Sequence, residues 1–172
     1  MISSFNLKPI REYPKSALKR FDCGVTELNE YLSRYALKND ALGMGKTFIA
    51  SDAEGSVAGY FTLSTAQVAF EEIPALPVRK YPRYPLPALR ISRLAVKKEY
   101  QKKGLGAWLL KKAFIKILNA AEVAGICLIL VDAKETAVSF YEHFGFMKLR
   151  NLTYFLPVPT VQSYYEDRRR SR

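Results

Sequence analysis

The chain has 172 residues, 49% of them apolar and 25% charged, so one globular domain with a real hydrophobic core is expected over 1–172. Cys23 and Cys127 lie far apart with no CxxC pair and no histidine cluster, which excludes a disulfide scaffold and a zinc site and fits a reducing compartment. The net charge is +11, and Arg79–Lys116, with twelve basic residues and the single acid Glu99, carries all of it, a concentration that points to a polyanion partner or an anionic cofactor.

In chain order, Asn6–Ile10 reads as a short opening strand. Val25–Lys38 reads as a helix with Val25, Leu28, Leu32, Tyr35 and Ala36 inward. Lys46–Ser51 and the run around Tyr60–Val68 form a hairpin about the turn Asp52–Gly55. Glu71–Ala88 holds five prolines, which forbid a regular element and suggest a surface loop lining a site. Leu89–Val96 is a strand and Lys97–Lys103 a polar loop. Leu105–Ala124 is an amphipathic helix closed by Gly125. Ile126–Val131 is a buried strand, Thr136–Phe144 a short helix closed by Gly145, and Phe146–Pro157 a last strand. Residues 164–172 read as a frayed basic tail. No apolar run reaches roughly 18 residues and the start lacks an apolar signal core, so no membrane span and a cytoplasmic location are expected.

Strand, loop, helix and strand between Leu89 and Val131 predict a parallel crossover in a mixed α/β domain. The loop-to-helix junction Gln101-Lys102-Lys103-Gly104-Leu105-Gly106 draws attention. A helix start offers free N–H groups and the positive end of a dipole, and glycine lets an anion approach the backbone. Neither the Walker spacing nor GxGxxG is present, because position 109 is Leu109. Alone, a Gly-x-Gly pair is as often a turn device as an anion seat.

Two motifs together are more specific. RLAVKKEYQKKGLGAWLL resembles the strand–(Q/R)xxGx(G/A)–helix element of the GCN5-related N-acetyltransferases, the GNAT family, through Gln101, Gly104 and Gly106. AVSFYEHFGF is similar to the family's AxxFYxxxGF element. Phe21–Asp40 and Tyr81–Val96 further resemble a subgroup containing type II toxin–antitoxin toxins that acetylate aminoacyl-tRNA. The resemblance implies a GNAT fold, with a mixed central sheet, a splayed strand pair and flanking helices. It implies acetyl-CoA as co-substrate and no metal. The cofactor would lie on Leu94, Ala95 and Val96 along the strand and on Gln101, Lys102, Lys103, Gly104, Leu105, Gly106 and Ala107 at the helix start, with Phe140 beside it. Tyr141 would protonate the leaving thiolate, and the Val96 N–H would polarise the thioester carbonyl.

The implied activity is acetyl transfer to the α-amine of aminoacyl-tRNA, a toxin reaction that blocks translation. Arg79, Arg83, Arg90 and Arg93 are the candidate tRNA contacts, with Lys97 and Lys98 behind them. A small antitoxin of the ribbon-helix-helix type and a homodimer are the expected partners. The competing expectation is a non-toxic GNAT enzyme acting on a small-molecule or protein amine. His143, the only histidine, and Glu142 read as solvated surface groups rather than a general base.

Overall fold

A computed structural model describes residues 5–74 and 81–170. The described elements are β1 (Asn6–Pro9), α1 (Lys15–Lys19), α2 (Thr26–Glu30), α3 (Ala36–Ala41), β2 (Lys46–Ser51), β3 (Val57–Val68), β4 (Leu86–Val96), α4 (Leu105–Ala121), β5 (Leu128–Asp132), α5 (Val138–His143), β6 (Met147–Arg150), β7 (Thr153–Pro157) and α6 (Val158–Arg170). Strand order is β1-β2-β3-β4-β5-β7-β6. β4 and β5 pair in parallel, as the strand–helix–strand pattern requires, while β1–β2, β2–β3, β5–β7 and β6–β7 are antiparallel. The parallel ladder joins Ala88–Ile91 to Leu128–Val131, and Ser92–Val96 continue beyond it. The sheet is mixed, with β4 and β5 its parallel pair.

The chain forms two compact units. The first holds residues up to Ser64 together with Ser92–Ala113; the second holds Thr65–Ile91 and Phe114 onward. The first unit is centred on Ile10, Leu18, Phe21, Leu32, Ile49 and Tyr60. The second is centred on Val68, Leu86, Leu128, Leu130 and Phe155. Each such buried side chain stabilises its unit by about 1.5–3 kcal/mol relative to exposure.

Several boundaries differ from those expected of the sequence, each for a local reason. The helix expected over Val25–Lys38 is broken by a π-helical turn, Tyr31–Tyr35, in which the Ala36 N–H donates to the Tyr31 carbonyl five residues back. Tyr31, which opens the turn, is 5% exposed, and Tyr35, expected inward, is 53% exposed. β4 begins earlier than expected, at Leu86, and Pro87 enters it by accepting from the Cys127 N–H, which needs no proline donor. α4 ends at Ala121 with Val123 and Ala124 N–H groups bonded to the Ala120 carbonyl; Gly125 takes no left-handed φ and is not its cap. Gly145 does close α5, with φ of +90° and its N–H on the Glu142 carbonyl. The last strand is two, β6 and β7, turned at Asn151, a residue that tolerates its φ of +45°. The tail expected to fray continues as α6 to Arg170.

Within the first unit, β3 lets β4 and α4 approach at Gly59. A Cβ there would lie 2.9 Å from the Ala95 carbonyl oxygen and 2.8 Å from Leu109 Cδ1. The carbonyl belongs to a strand and cannot yield as a flexible side chain would. Gly59→Ala is therefore expected to destabilise the protein by about 1–3 kcal/mol, read as a Tm lower by about 5 °C. An unchanged Tm would refute the close approach.

Candidate active site

The loop from Lys97 to Gly104 reverses β4 into α4. Lys102 and Gly104 take left-handed φ values of +58° and +87°. The Gly104 carbonyl accepts the Trp108 N–H at 3.1 Å, which sets the start of the helix. The first N–H groups of an α-helix have no acceptor inside it, so those of Leu105, Gly106 and Ala107 are available to a ligand. Lys102, Lys103 and Gly104 are exposed beside them, and Gly106 and Ala107 are half-buried. This arrangement fits the phosphates of acetyl-CoA: free donors, a favourable dipole and no side chain at Gly104. Lys103 Nζ donates to the Glu99 carbonyl at 2.8 Å, so its charge is drawn back onto the loop.

Gln101 has a role that its motif position did not reveal. Its Nε2 donates to the Cys23 carbonyl at 2.8 Å and to the Val96 carbonyl at 2.9 Å. Both amide hydrogens are used within the protein, which makes Gln101 a brace for the loop. Phe21–Gly24 completes the brace. Asp22 Oδ1 accepts the Gly24 N–H at 2.8 Å and Asn29 Nδ2 at 2.9 Å, while Oδ2 accepts Lys98 Nζ at 2.7 Å. The Cys23 N–H donates to Asn29 Oδ1, and the Lys98 N–H to the Asp22 carbonyl. The signal available in the sequence was Asp22 two residues before Gly24, a turn in which the aspartate caps its own backbone. On the other side Tyr100 donates to Asp52 Oδ2 at 2.8 Å, tying the loop to the β2–β3 turn. A cavity of about 690 Å³ opens there, lined by Phe5, Asp52, Glu54, Tyr100 and Lys103 among others. Leu105 lines it too, so the cavity reaches the start of α4, and the carboxylates of Asp52 and Glu54 disfavour phosphate on their part of its wall.

Of the strand residues predicted to meet the cofactor, Ala95 is buried and Leu94 and Val96 are half-buried. All three lie in the part of β4 beyond the ladder to β5. The Lys97 N–H, just past them, donates to the Ala58 carbonyl at 2.8 Å and holds the strand end on β3.

Tyr141 stands on α5 in the second unit and is 7% exposed. Its ring meets Phe140 edge-on at 5.1 Å and Phe146 at 5.5 Å, and Phe146 in turn stacks on Phe114. Among the described residues its hydroxyl has no hydrogen-bond partner, and burial alone pushes its pKa up to about 12. The group is a protonated phenol held by aromatic packing. Phe140 is half-buried and also touches Phe144. His143 and Glu142 are exposed, as expected for solvated groups.

Three of the four predicted arginines fall among the described residues, and their surroundings differ. Arg79 lies outside the described residues. Arg83 is exposed. Arg90 is ion-paired with Asp132, which also accepts from Thr153. Arg93 lies 3.6 Å over the ring of Tyr31. Lys97 pairs with Glu99 and Lys98 with Asp22, so part of the excess charge is neutralised locally. Burial pushes the thiols of Cys23 and Cys127 up, which makes them poor nucleophiles.

The Asp22 brace has a pH signature. Its carboxyl is lowered to about 2 by the hydrogen bond from Lys98, then by those from Gly24 and Asn29. A folded pKa below the unfolded value of 3.8 contributes stability that is present above pH 3.8 and lost as the pH falls toward about 2. The wild-type Tm is expected to fall more steeply between these values than that of Asp22→Asn. Parallel acid titrations of the two melting curves would refute the brace.

A family model for the acetyltransferase (GNAT) domain matches residues 16–161, a span that runs through both compact units. The chain is 36% identical over 127 residues to the tRNA-acetylating toxin of Mycobacterium tuberculosis, covering 73% of this chain and 75% of that protein. Among solved structures, AtaT complexed with acetyl-methionyl-tRNAfMet matches with a TM-score of 0.85 and 25% identity, over 94% of this chain and 99% of that one. AtaTR bound with AcCoA matches with a TM-score of 0.79 and 26% identity, over 95% and 99%. These matches show that the chain belongs to the GNAT acetyltransferase family and is an N-acetyltransferase that uses acetyl-CoA.

Proposed function

We propose that the chain transfers acetyl to the α-amine of aminoacyl-tRNA and thereby blocks translation, with Tyr141 as the general acid. The observation that carries the acceptor is the 36% identity, over most of both chains, to a protein that acetylates tRNA. A small antitoxin of the ribbon-helix-helix type and a second copy of the chain are the partners that complete this reading.

Acetyl-CoA, when bound, supplies a thioester whose carbonyl carbon takes the amine and whose sulfur departs. The N–H groups of Leu105, Gly106 and Ala107 hold its phosphates, and the left-handed Gly104 keeps that approach open. The Val96 N–H orients and polarises the carbonyl; one such preorganised donor contributes on the order of 10²-fold or more. Tyr141 donates its O–H proton to the departing sulfur. With a pKa pushed up to about 12, it holds that proton throughout the physiological range. The acceptor amine must be neutral to attack. A free α-amine titrates near 8 and an adjacent ester lowers it, so no strong base is required.

Tyr141→Phe removes the proton and keeps the ring contacts. It is expected to lower kcat by about 10²- to 10⁴-fold, with acetyl-CoA affinity and Tm unchanged. The check is transfer of radiolabelled acetyl to charged and to deacylated tRNA. Label confined to charged tRNA, and strongly reduced in Tyr141→Phe, is the expected result. Label absent from charged tRNA but present on small-molecule or protein amines would favour the competing reading; an undiminished Tyr141→Phe rate would remove Tyr141 from its role. The wild-type rate is expected to rise as the amine deprotonates and to show no descending limb from Tyr141 below about pH 11, since its pKa is about 12.

A further inference from the structure

Arg93 is treated differently from its neighbours. Arg90 has a carboxylate partner in Asp132, whereas Arg93 has no ion pair among the described residues and rests on an aromatic face. Its guanidinium carbon is 3.6 Å from the Tyr31 ring centroid, close enough for flat stacking. Stacking occupies the face of a guanidinium and leaves its N–H edges for an acceptor, the geometry that suits phosphate.

The platform under Arg93 is rigid. Tyr31 is 5% exposed and stacks on Tyr60 at 6.4 Å and 23°. Tyr60 is fully buried and donates its O–H to the Leu28 carbonyl at 2.8 Å. The π turn Tyr31–Tyr35 begins at Tyr31, and such turns inside α-helices are frequent at functional sites. Arg93 also adjoins Leu94–Val96, the stretch of β4 that runs beyond the ladder to β5.

We propose that Tyr31 is a positioning residue for acceptor recognition: it holds the Arg93 guanidinium so that its edge meets a phosphate at the aminoacyl end of charged tRNA. The inference rests on the aminoacyl-tRNA acceptor proposed above. A lysine at 93 would keep the charge but lose the flat stack, and a leucine at 31 would keep bulk but lose the platform.

The experiment is steady-state kinetics with bulk charged tRNA and acetyl-CoA. Tyr31→Leu is expected to raise the KM for charged tRNA about tenfold, with kcat and the acetyl-CoA KM unchanged. Tyr31→Phe, which keeps the ring, restores the wild-type KM. Arg93→Lys, which leaves the core untouched, raises the same KM several-fold even if Tyr31→Leu folds poorly. In a double-mutant cycle, Tyr31→Leu has no further effect once Arg93 is Gln. A wild-type KM in Arg93→Lys overturns the inference, as does full additivity in the cycle or a Tyr31→Leu defect shared equally by both substrates. Wild-type protein that leaves charged tRNA unlabelled overturns the acceptor assignment and this inference together; wild-type labelling with silent variants overturns the inference alone.

Discussion

The side-chain amide of Gln101 is the contact on which the loop between β4 and α4 depends. One N–H reaches the Cys23 carbonyl and the other the Val96 carbonyl. A single residue thereby ties the end of β4, the start of α4 and the segment before α2. The loop it holds contains two left-handed residues, one of them a lysine, a conformation that does not persist without external support. Asp22, Asn29 and Lys98 supply the rest of that support on one side, and Tyr100 with Asp52 on the other. The free N–H groups at the start of α4 are useful to an anion because this brace fixes where they point.

The two compact units hold different groups. The first holds the first N–H groups of α4 and an arginine stacked on a buried tyrosine. The second supplies a buried phenol whose only perturbation is loss of water. Net charge alone does not describe the first. Several of the basic residues in Arg79–Lys116 are engaged with Asp22, Glu99 or Asp132, so the orientation of individual cations matters more than their number.

What was legible in the sequence was whatever depends on a short run of chain. Gln101, Gly104 and Gly106 sit at a junction of strand and helix because the hydrophobic pattern changes period there, and Tyr141 lies inside the second motif, the ten residues Ala137–Phe146. The parallel β4–β5 pair came from the same patterning. What escaped depends on contacts between distant residues or on one inserted residue. Periodicity cannot register a π turn, so Tyr35 is expected inward although it is exposed. Gln101 looked like a ligand residue because its partner Cys23 is 78 positions away. Arg90 looked free because Asp132 lies 42 positions on. The split of the last strand turned on Asn151, a residue able to adopt a left-handed turn but not obliged to.

The central claim is that acetyl reaches the α-amine of the amino acid on charged tRNA. The most direct measurement is mass spectrometry of the 3′-terminal aminoacyl-adenosine released by nuclease after incubation with acetyl-CoA. One added acetyl on the amino-acid nitrogen, dependent on the tRNA being charged, is the predicted result. An unmodified aminoacyl-adenosine, with acetyl recovered on a base, a protein or a small amine, would contradict it.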